Sequence, residues 1–93
     1  KVREVNFTSK FKRDLRRELK SNNNKNVEEL LDFVINLLAT DLPLPAKFLD
    51  HALKGNHIGS RECHLKPNLL LIYRKIGKEI LEVEQLGSHS EIL

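Results

Sequence analysis

A single cysteine, Cys63, leaves this 93-residue chain with no internal disulfide framework to hold it together. No apolar run approaches the length of a membrane span or a signal-peptide core, so the chain is expected to be soluble and cytoplasmic, with no membrane partner. Zinc-binding patterns are missing as well: none of the histidine and cysteine spacings forms a C-x-x-C pair, an H-x-x-x-H pair or a zincin helix, and no metal or other cofactor is expected. Methionine is absent, which places the initiator outside the sequence and carries no functional reading. Beyond a short asparagine run there is no internal repeat or low-complexity segment. A chain this short builds one core and buries roughly 60% of its unfolded surface, so residues 1–93 are expected to form one domain.

What the chain does have is unevenly distributed charge. The net balance is only +3, but residues 1–25 carry nine Lys/Arg against three Asp/Glu, whereas residues 26–50 carry one against five. A local basic excess of this kind suits an acidic partner, either nucleic acid or an acidic protein segment. Its plainer reading is a solvated helix face.

The hydrophobic pattern predicts the element order β-α-α-β-β-β. A short strand over Val2–Asn6 leads into a helix from Thr8 or Ser9 to Lys20, with a hydroxyl as cap and Phe11, Leu15 and Leu19 on one face. Ser21-Asn22-Asn23-Asn24 interrupts it. Asn26 followed by Glu29 resembles a capping box, opening a second helix whose face is Val27, Leu30, Leu31, Val34, Leu37 and Leu38. Leu42-Pro43-Leu44-Pro45 ends this helix, because proline lacks an N–H and displaces the preceding residue from the helical region. Three strands are predicted near Ile58–Leu65, Leu69–Ile76 and Glu79–Leu86, with Gly77-Lys78 as a tight hairpin signal. The two helices must then cover one face of an antiparallel sheet, an α+β architecture. Its other face is left within reach of the Asp50–Gly55 loop and the C-terminal tail.

Three histidines, His51, His64 and His89, lie at loops or strand ends, and imidazole is the side chain suited to proton transfer near neutral pH. Metal-free RNA cleavage needs a base for the 2′-hydroxyl, an acid for the leaving 5′-oxygen, and cations for the charge that builds on phosphorus. The histidines supply the first two, and Lys54, Arg61 and Lys66 lie near two of them in sequence as RNA-binding candidates. For any one histidine, a surface position without a role is the simpler reading. Cys63 alternates with Arg61 and Leu65 against Glu62, His64 and Lys66, which makes it a small core residue rather than a nucleophile. His57 is expected at the surface.

From Leu42 to Leu93 the chain resembles the YafQ-like branch of the RelE/ParE toxin superfamily, ribosome-dependent mRNA endoribonucleases of bacterial type II toxin-antitoxin pairs. The resemblance rests on Leu-Pro-Leu-Pro, Asp50-His51-Ala52-Leu53-Lys54-Gly55, Arg61-Glu62-Cys63-His64-Leu65-Lys66-Pro67-Asn68, Leu71-Ile72-Tyr73 and Leu86-Gly87-Ser88-His89-Ser90-Glu91, in the family's order. It implies a RelE-like fold and an RNA-cleaving site lined by His51, His64 and His89, with Asn68, Leu69 and Leu93 at RNA-binding positions. Three residues depart from the family's pattern: Asn68 stands for an aspartate, Leu69 for a tryptophan found in some members, and Leu93 for an aromatic. Asparagine is no carboxylate base, and leucine stacks on a nucleobase less well than an aromatic ring. The resemblance also implies partners: mRNA on the ribosome, a cognate antitoxin of ribbon-helix-helix type, and operator DNA only through the antitoxin complex. Arg13, Arg16 and Arg17 on the first helix are the candidate surface for antitoxin or phosphate. Two other readings remain, a ParE-like toxin that inhibits DNA gyrase without cleaving nucleic acid, and a catalytically weak regulator acting in an antitoxin complex.

Overall fold

A computed structural model describes residues 2–21 and 25–92. Its elements are β1 (Glu4–Phe7), α1 (Ser9–Lys20), α2 (Val27–Ala39), a 3₁₀ turn (Ala46–Phe48), β2 (His51–Ala52), a second 3₁₀ turn (Gly55–His57), β3 (Arg61–Lys66), β4 (Leu69–Ile76) and β5 (Ile80–Gly87). The α+β class and the expected order hold, with the two-residue β2 as an addition. Five strands form one sheet in the order β1-β5-β4-β3-β2. It is mixed, because β1 runs parallel to β5 while the other pairings are antiparallel. That parallel pairing joins the two ends of the chain, and no local turn signal announces it. Leu93 and Asn22–Asn24 lie outside the described residues.

Local chemistry sets the helix ends. Thr8 caps α1: its hydroxyl oxygen accepts from Phe11 N–H at 3.0 Å and its proton goes to the Glu84 carbonyl at 2.8 Å. At α2 the expected capping box is absent, since Asn26 takes the left-handed conformation and makes no side-chain cap bond. Asparagine tolerates that conformation better than most residues, so the residue still opens the helix, by backbone shape. The same helix stops ahead of its prolines. Asp41 is left-handed at φ 58°, and the N–H groups of Leu42 and Asp41 reach back to the carbonyls of Leu37 and Leu38 in a Schellman turn. Arg3 and Lys75 both bind the Asp41 carboxylate.

Both helices cover one sheet face. The core joins Phe11 of α1 and Val27, Leu31, Val34 and Leu38 of α2 to Cys63, Leu65, Leu69, Leu71, Tyr73, Leu81, Val83 and Leu86 of the sheet. Strict alternation along β5 is broken at Glu84, where Ile72 pairs with Gln85 but Tyr73 pairs with Val83. The extra residue is a β-bulge, and it switches the inward set from Leu81 and Val83 to Leu86. On the opposite face, Leu70 and Ile72 are covered by Leu53 from the Asp50–Gly55 loop and by Ile92 from the tail. Both segments expected to reach that face do so.

The buried face of α1 differs from the expected stripe. Phe11, Asp14 and Glu18 are buried, whereas Leu19 remains 46% exposed. Asp14 is tolerated inside because it accepts from the Leu86 N–H at 3.0 Å and pairs with Lys10 and Arg17. Burial alone would raise its pKa, but the Lys10 hydrogen bond, the Leu86 N–H and the two cations outweigh it and hold the carboxyl below its ordinary range. A depressed folded-state pKa gives stability that is present above the unfolded value and lost as pH falls through the folded one. Asp14→Ala, which orphans the Leu86 N–H, should therefore lose about 2–3 kcal/mol in denaturant melts at pH 7. The gap to wild type should close below pH 4; a gap that stays constant down to pH 2 would contradict the charged role of Asp14.

Candidate active site

The three candidate histidines stand on the helix-free face. Antiparallel pairing sets His51 of β2 directly across from Glu62 of β3, and alternation puts His64, two residues on, beside them. His89 arrives from beyond the end of β5. The rings stand in a row: His51 and His64 centroids are 6.3 Å apart, and His64 and His89 are 5.7 Å apart. Residues separated by up to 38 positions thus share one rim of the sheet.

Each outer imidazole is oriented by its own partners. His51 Nδ1 lies 2.7 Å from the Leu49 carbonyl, which only accepts, so Nδ1 carries a proton. Its Nε2 faces Glu62 Oε1 at 3.3 Å, and the same oxygen lies 3.6 Å from His64 Nε2. With acceptors on both sides, His51 is held so that each ring nitrogen can bear a proton. His89 is placed differently. The Asn68 Oδ1 takes the His89 backbone N–H at 3.3 Å and faces His89 Nδ1 at 3.0 Å. A backbone N–H can only donate, which fixes the atom before it as the amide oxygen and makes Nδ1 the protonated nitrogen of the ring. In the neutral ring the lone pair then lies on Nε2, which faces no partner in the described structure.

A compact turn carries His89. The Ser88 N–H and hydroxyl both donate to Glu91 Oε1, at 2.9 and 3.0 Å, and these bonds hold the Glu91 carboxyl below its ordinary range. Arg17 closes the arrangement from α1, pairing with Glu91 and donating to the Leu86 carbonyl at 2.8 Å. Gly87 leaves room at this crossing, since a Cβ there would stand 2.9 Å from Arg17 Nη2 and displace the end of that side chain.

The other predicted residues divide. Lys66 stays near the site, lining a 440 Å³ cleft with Asn68, Ser88 and Arg17, and a 470 Å³ apolar cleft with His64, Phe48, Leu49 and Pro67. Its Nζ also donates to the Lys25 carbonyl at 2.6 Å. Lys54 is exposed on the loop after β2. Arg61 does not join the histidines: it points to the helix side of the sheet and binds Asp50. Leu69 sits in the core, 3% exposed, and so is not presented for stacking on a base. Leu93 lies outside the described residues. On α1, Arg13 and Arg16 are exposed, whereas Arg17 is taken up by Asp14, Glu18 and Glu91. Cys63 is fully buried, and burial first, then Asp50 and Glu62, pushes its thiol up to about 12. It is a core residue, as its strand parity indicated. His57 is half-buried, with part of it at the surface. Glu62 is the residue the sequence reading passed over. Its signal was present two positions before His64, but the facing of β2 that brings His51 to it is not visible in the sequence.

Three imidazoles and a carboxylate, groups able to give and take protons, share the rim of a small α+β sheet with an amide. Residues 3–93 match the family described as bacterial toxin of type II toxin-antitoxin system, YafQ, and the chain belongs to that family. The mRNA interferase toxin YafQ of Escherichia coli strain K12 is 30% identical over 90 residues, covering 97% of this chain and 95% of its own. A metal-bound toxin from Helicobacter pylori is 40% identical with a TM-score of 0.86, each chain covered in full. The E. coli DinJ–YafQ toxin-antitoxin complex superposes at a TM-score of 0.85 with 29% identity, covering 100% of this chain and 99% of that one. Here, among the described residues, no group of three or more His, Cys, Asp or Glu is arranged to hold a metal ion. Glu62 Oε1 stands at hydrogen-bonding and longer distances from its two imidazoles, which is not a shared ligand sphere. No described helix is long and apolar enough to cross a membrane.

Proposed function

We propose that this toxin cleaves mRNA on the ribosome by histidine acid–base chemistry. The observation that carries the reading is the row of three imidazoles oriented by Glu62 and Asn68. In it, His89 Nε2 takes the proton of a 2′-hydroxyl, whose oxygen attacks the adjacent phosphorus. The bond to the 5′-oxygen breaks, and His51 returns a proton to that oxygen, leaving a 2′,3′-cyclic phosphate and a 5′-hydroxyl. His64, between them, faces the charge that gathers on the phosphate, with Lys66 in the adjoining clefts.

The interferase name of the E. coli relative and the family match support an endoribonuclease over a gyrase inhibitor, for which three converging histidines would have no use. The E. coli complex supports an antitoxin as partner, and a ribbon-helix-helix protein encoded beside this chain would fit. The exposed Arg13 and Arg16 offer it, or ribosomal phosphate, a positive surface. Operator DNA is then met only through that complex.

Cleavage of a programmed ribosome by protein pretreated with EDTA, with magnesium restored for the ribosome, tests the mechanism. Full activity, product ends bearing cyclic or 3′-phosphate, and a rate that varies between about pH 5 and 8 are expected. Products carrying 5′-phosphate, or an obligatory ion bound to the toxin, would reject it.

Asn68 orients His89 without adding charge. A carboxylate in its place accepts the same two bonds and favours the protonated ring, strengthening the base. Asn68→Asp should therefore raise the maximal rate about three- to tenfold, an effect of about 1 kcal/mol on the barrier. It should also move the acidic limb of the pH–rate profile to higher pH. A profile that does not move would show that Asn68 serves another group.

A further inference from the structure

On the side of the sheet away from the histidines, Asp50, Arg61 and Tyr73 form a closed set of hydrogen bonds. Tyr73 donates its hydroxyl to Asp50 Oδ1, Arg61 Nη2 reaches Asp50 Oδ2 at 3.1 Å, and Arg61 Nε lies 3.3 Å from both Asp50 Oδ1 and the Tyr73 oxygen. The tyrosine is 1% exposed and belongs to the core. Burial and the neighbouring Asp50 carboxylate both push its hydroxyl above the ordinary range, so it stays a donor at any physiological pH. Two of these residues face each other across β3 and β4, since Arg61 pairs with Tyr73. Asp50 immediately precedes His51, so the two side chains leave the backbone on opposite faces.

β2 has only two residues, His51 and Ala52, paired with Glu62 and Arg61 at the edge of the sheet. Both are exposed, so the ladder residues bring no apolar burial of their own; beyond them Leu53 packs on Leu70 and Ile72 and its N–H donates to the Ser60 carbonyl at 2.9 Å, which holds the far end of β2 but not its entry. A strand that slips by one residue turns every side chain to the other face, and here that would carry His51 away from Glu62. The chain enters β2 through Leu49, held left-handed at φ 49°, whose carbonyl is the acceptor for His51 Nδ1. Something other than the two-residue ladder must hold this turn.

We infer that Asp50, Arg61 and Tyr73 are an anchor that positions His51, gripping the residue before it from the opposite face so that the imidazole faces Glu62 with Nδ1 on the Leu49 carbonyl. None of the three touches the histidine row; they are positioning residues acting through the backbone. The inference rests on the proposed role of His51, but its geometric content does not. It also gives Arg61 a purpose in place of RNA contact, and it accounts for the Asp-His pairing in the Asp50–Gly55 loop.

The test combines Tyr73→Phe, which removes one oxygen and keeps the ring in the core, with Asp50→Asn, which keeps the shape and removes the charge. Imidazole nitrogen NMR of the free protein reports tautomer and titration for each histidine separately. Both variants should alter the His51 ring signals and its titration while leaving His89 as in wild type. Ribosome-dependent cleavage should fall about 10- to 100-fold, as for a reacting group displaced by about an ångström, and Asp50→Glu should restore part of it. If Tyr73→Phe proves unfolded, Asp50→Asn and its glutamate rescue decide. His51 signals identical to wild type in the folded variants would overturn the anchor, whatever the cleavage assay shows. Changed His51 signals with undiminished cleavage would uphold the anchor and count instead against His51 as the acid.

Discussion

His89→Ala, and separately His64→Ala, should abolish detectable mRNA cleavage and growth inhibition while leaving a folded protein. Neither ring is part of the core: His89 is exposed, and His64 lies on the face opposite the helices. Loss of the base His89 reduces a rate by about 10²–10⁴-fold, and loss of a charge-stabilising group such as His64 by about 10²–10³-fold. The two variants should differ in kind. Of the three rings in the row, His89→Ala removes the one whose Nε2 faces no partner in the described structure, so it should flatten the acidic limb of the pH–rate profile. His64→Ala should lower the rate while that limb keeps its position. Undiminished cleavage by both variants, with unchanged thermal melts, would refute the histidine mechanism.

The histidines were legible because imidazole is scarce and its chemistry is narrow; four of 93 residues needed an explanation, and three converge. Their convergence is a property of register, however, and register is where the sequence is least informative. Arg61 and Glu62 are neighbours in β3, and one residue of parity decides that the first faces Tyr73 and the second His51. A chain position near a histidine was therefore a poor guide to Arg61, and a good one to Glu62 only after β2 had been placed. Leu69 illustrates the same point, since it stands next to Asn68 in sequence but points into the core, at the irregular pairing of Lys66 with Leu69. The helices were legible in extent, yet not in the means of their capping. Asn26 and Asp41 adopt left-handed backbone without glycine, and Asp14 occupies a buried position that hydrophobic periodicity assigns to an apolar side chain. For the two aspartates a polar group is satisfied by a partner far along the chain: Arg3 and Lys75 for Asp41, and the Leu86 N–H for Asp14. Pattern reading sees neighbours, and these partners are not neighbours.

The same division sorts the basic helix. Arg17 reads like Arg13 and Arg16 in sequence, but it is committed to Asp14, Glu18, Glu91 and the Leu86 carbonyl. It links α1 to the turn that presents His89. Anything that engages α1 strongly enough to draw Arg17 away would loosen the support of His89, whereas contact with Arg13 or Arg16 would leave that support in place.

Glu62→Gln should reduce cleavage about 10²-fold near neutral pH, with a loss that depends on pH in a definite direction. The carboxylate lies 3.3 Å from His51 Nε2 and 3.6 Å from His64 Nε2, and with a side chain only 13% exposed it is little screened by water. A negative charge beside an imidazole favours its protonated form. Removing it makes the acid in the pair give up its proton at lower pH, so the alkaline limb of the profile should move down. The deficit should then be smaller at pH 6 than at pH 8. Glutamine keeps the length of the side chain and an oxygen that accepts hydrogen bonds, so geometry is largely preserved and charge is the variable under test. Equal deficits at pH 6 and pH 8 would mean that Glu62 acts by position alone. No deficit at either pH would remove Glu62 from the mechanism.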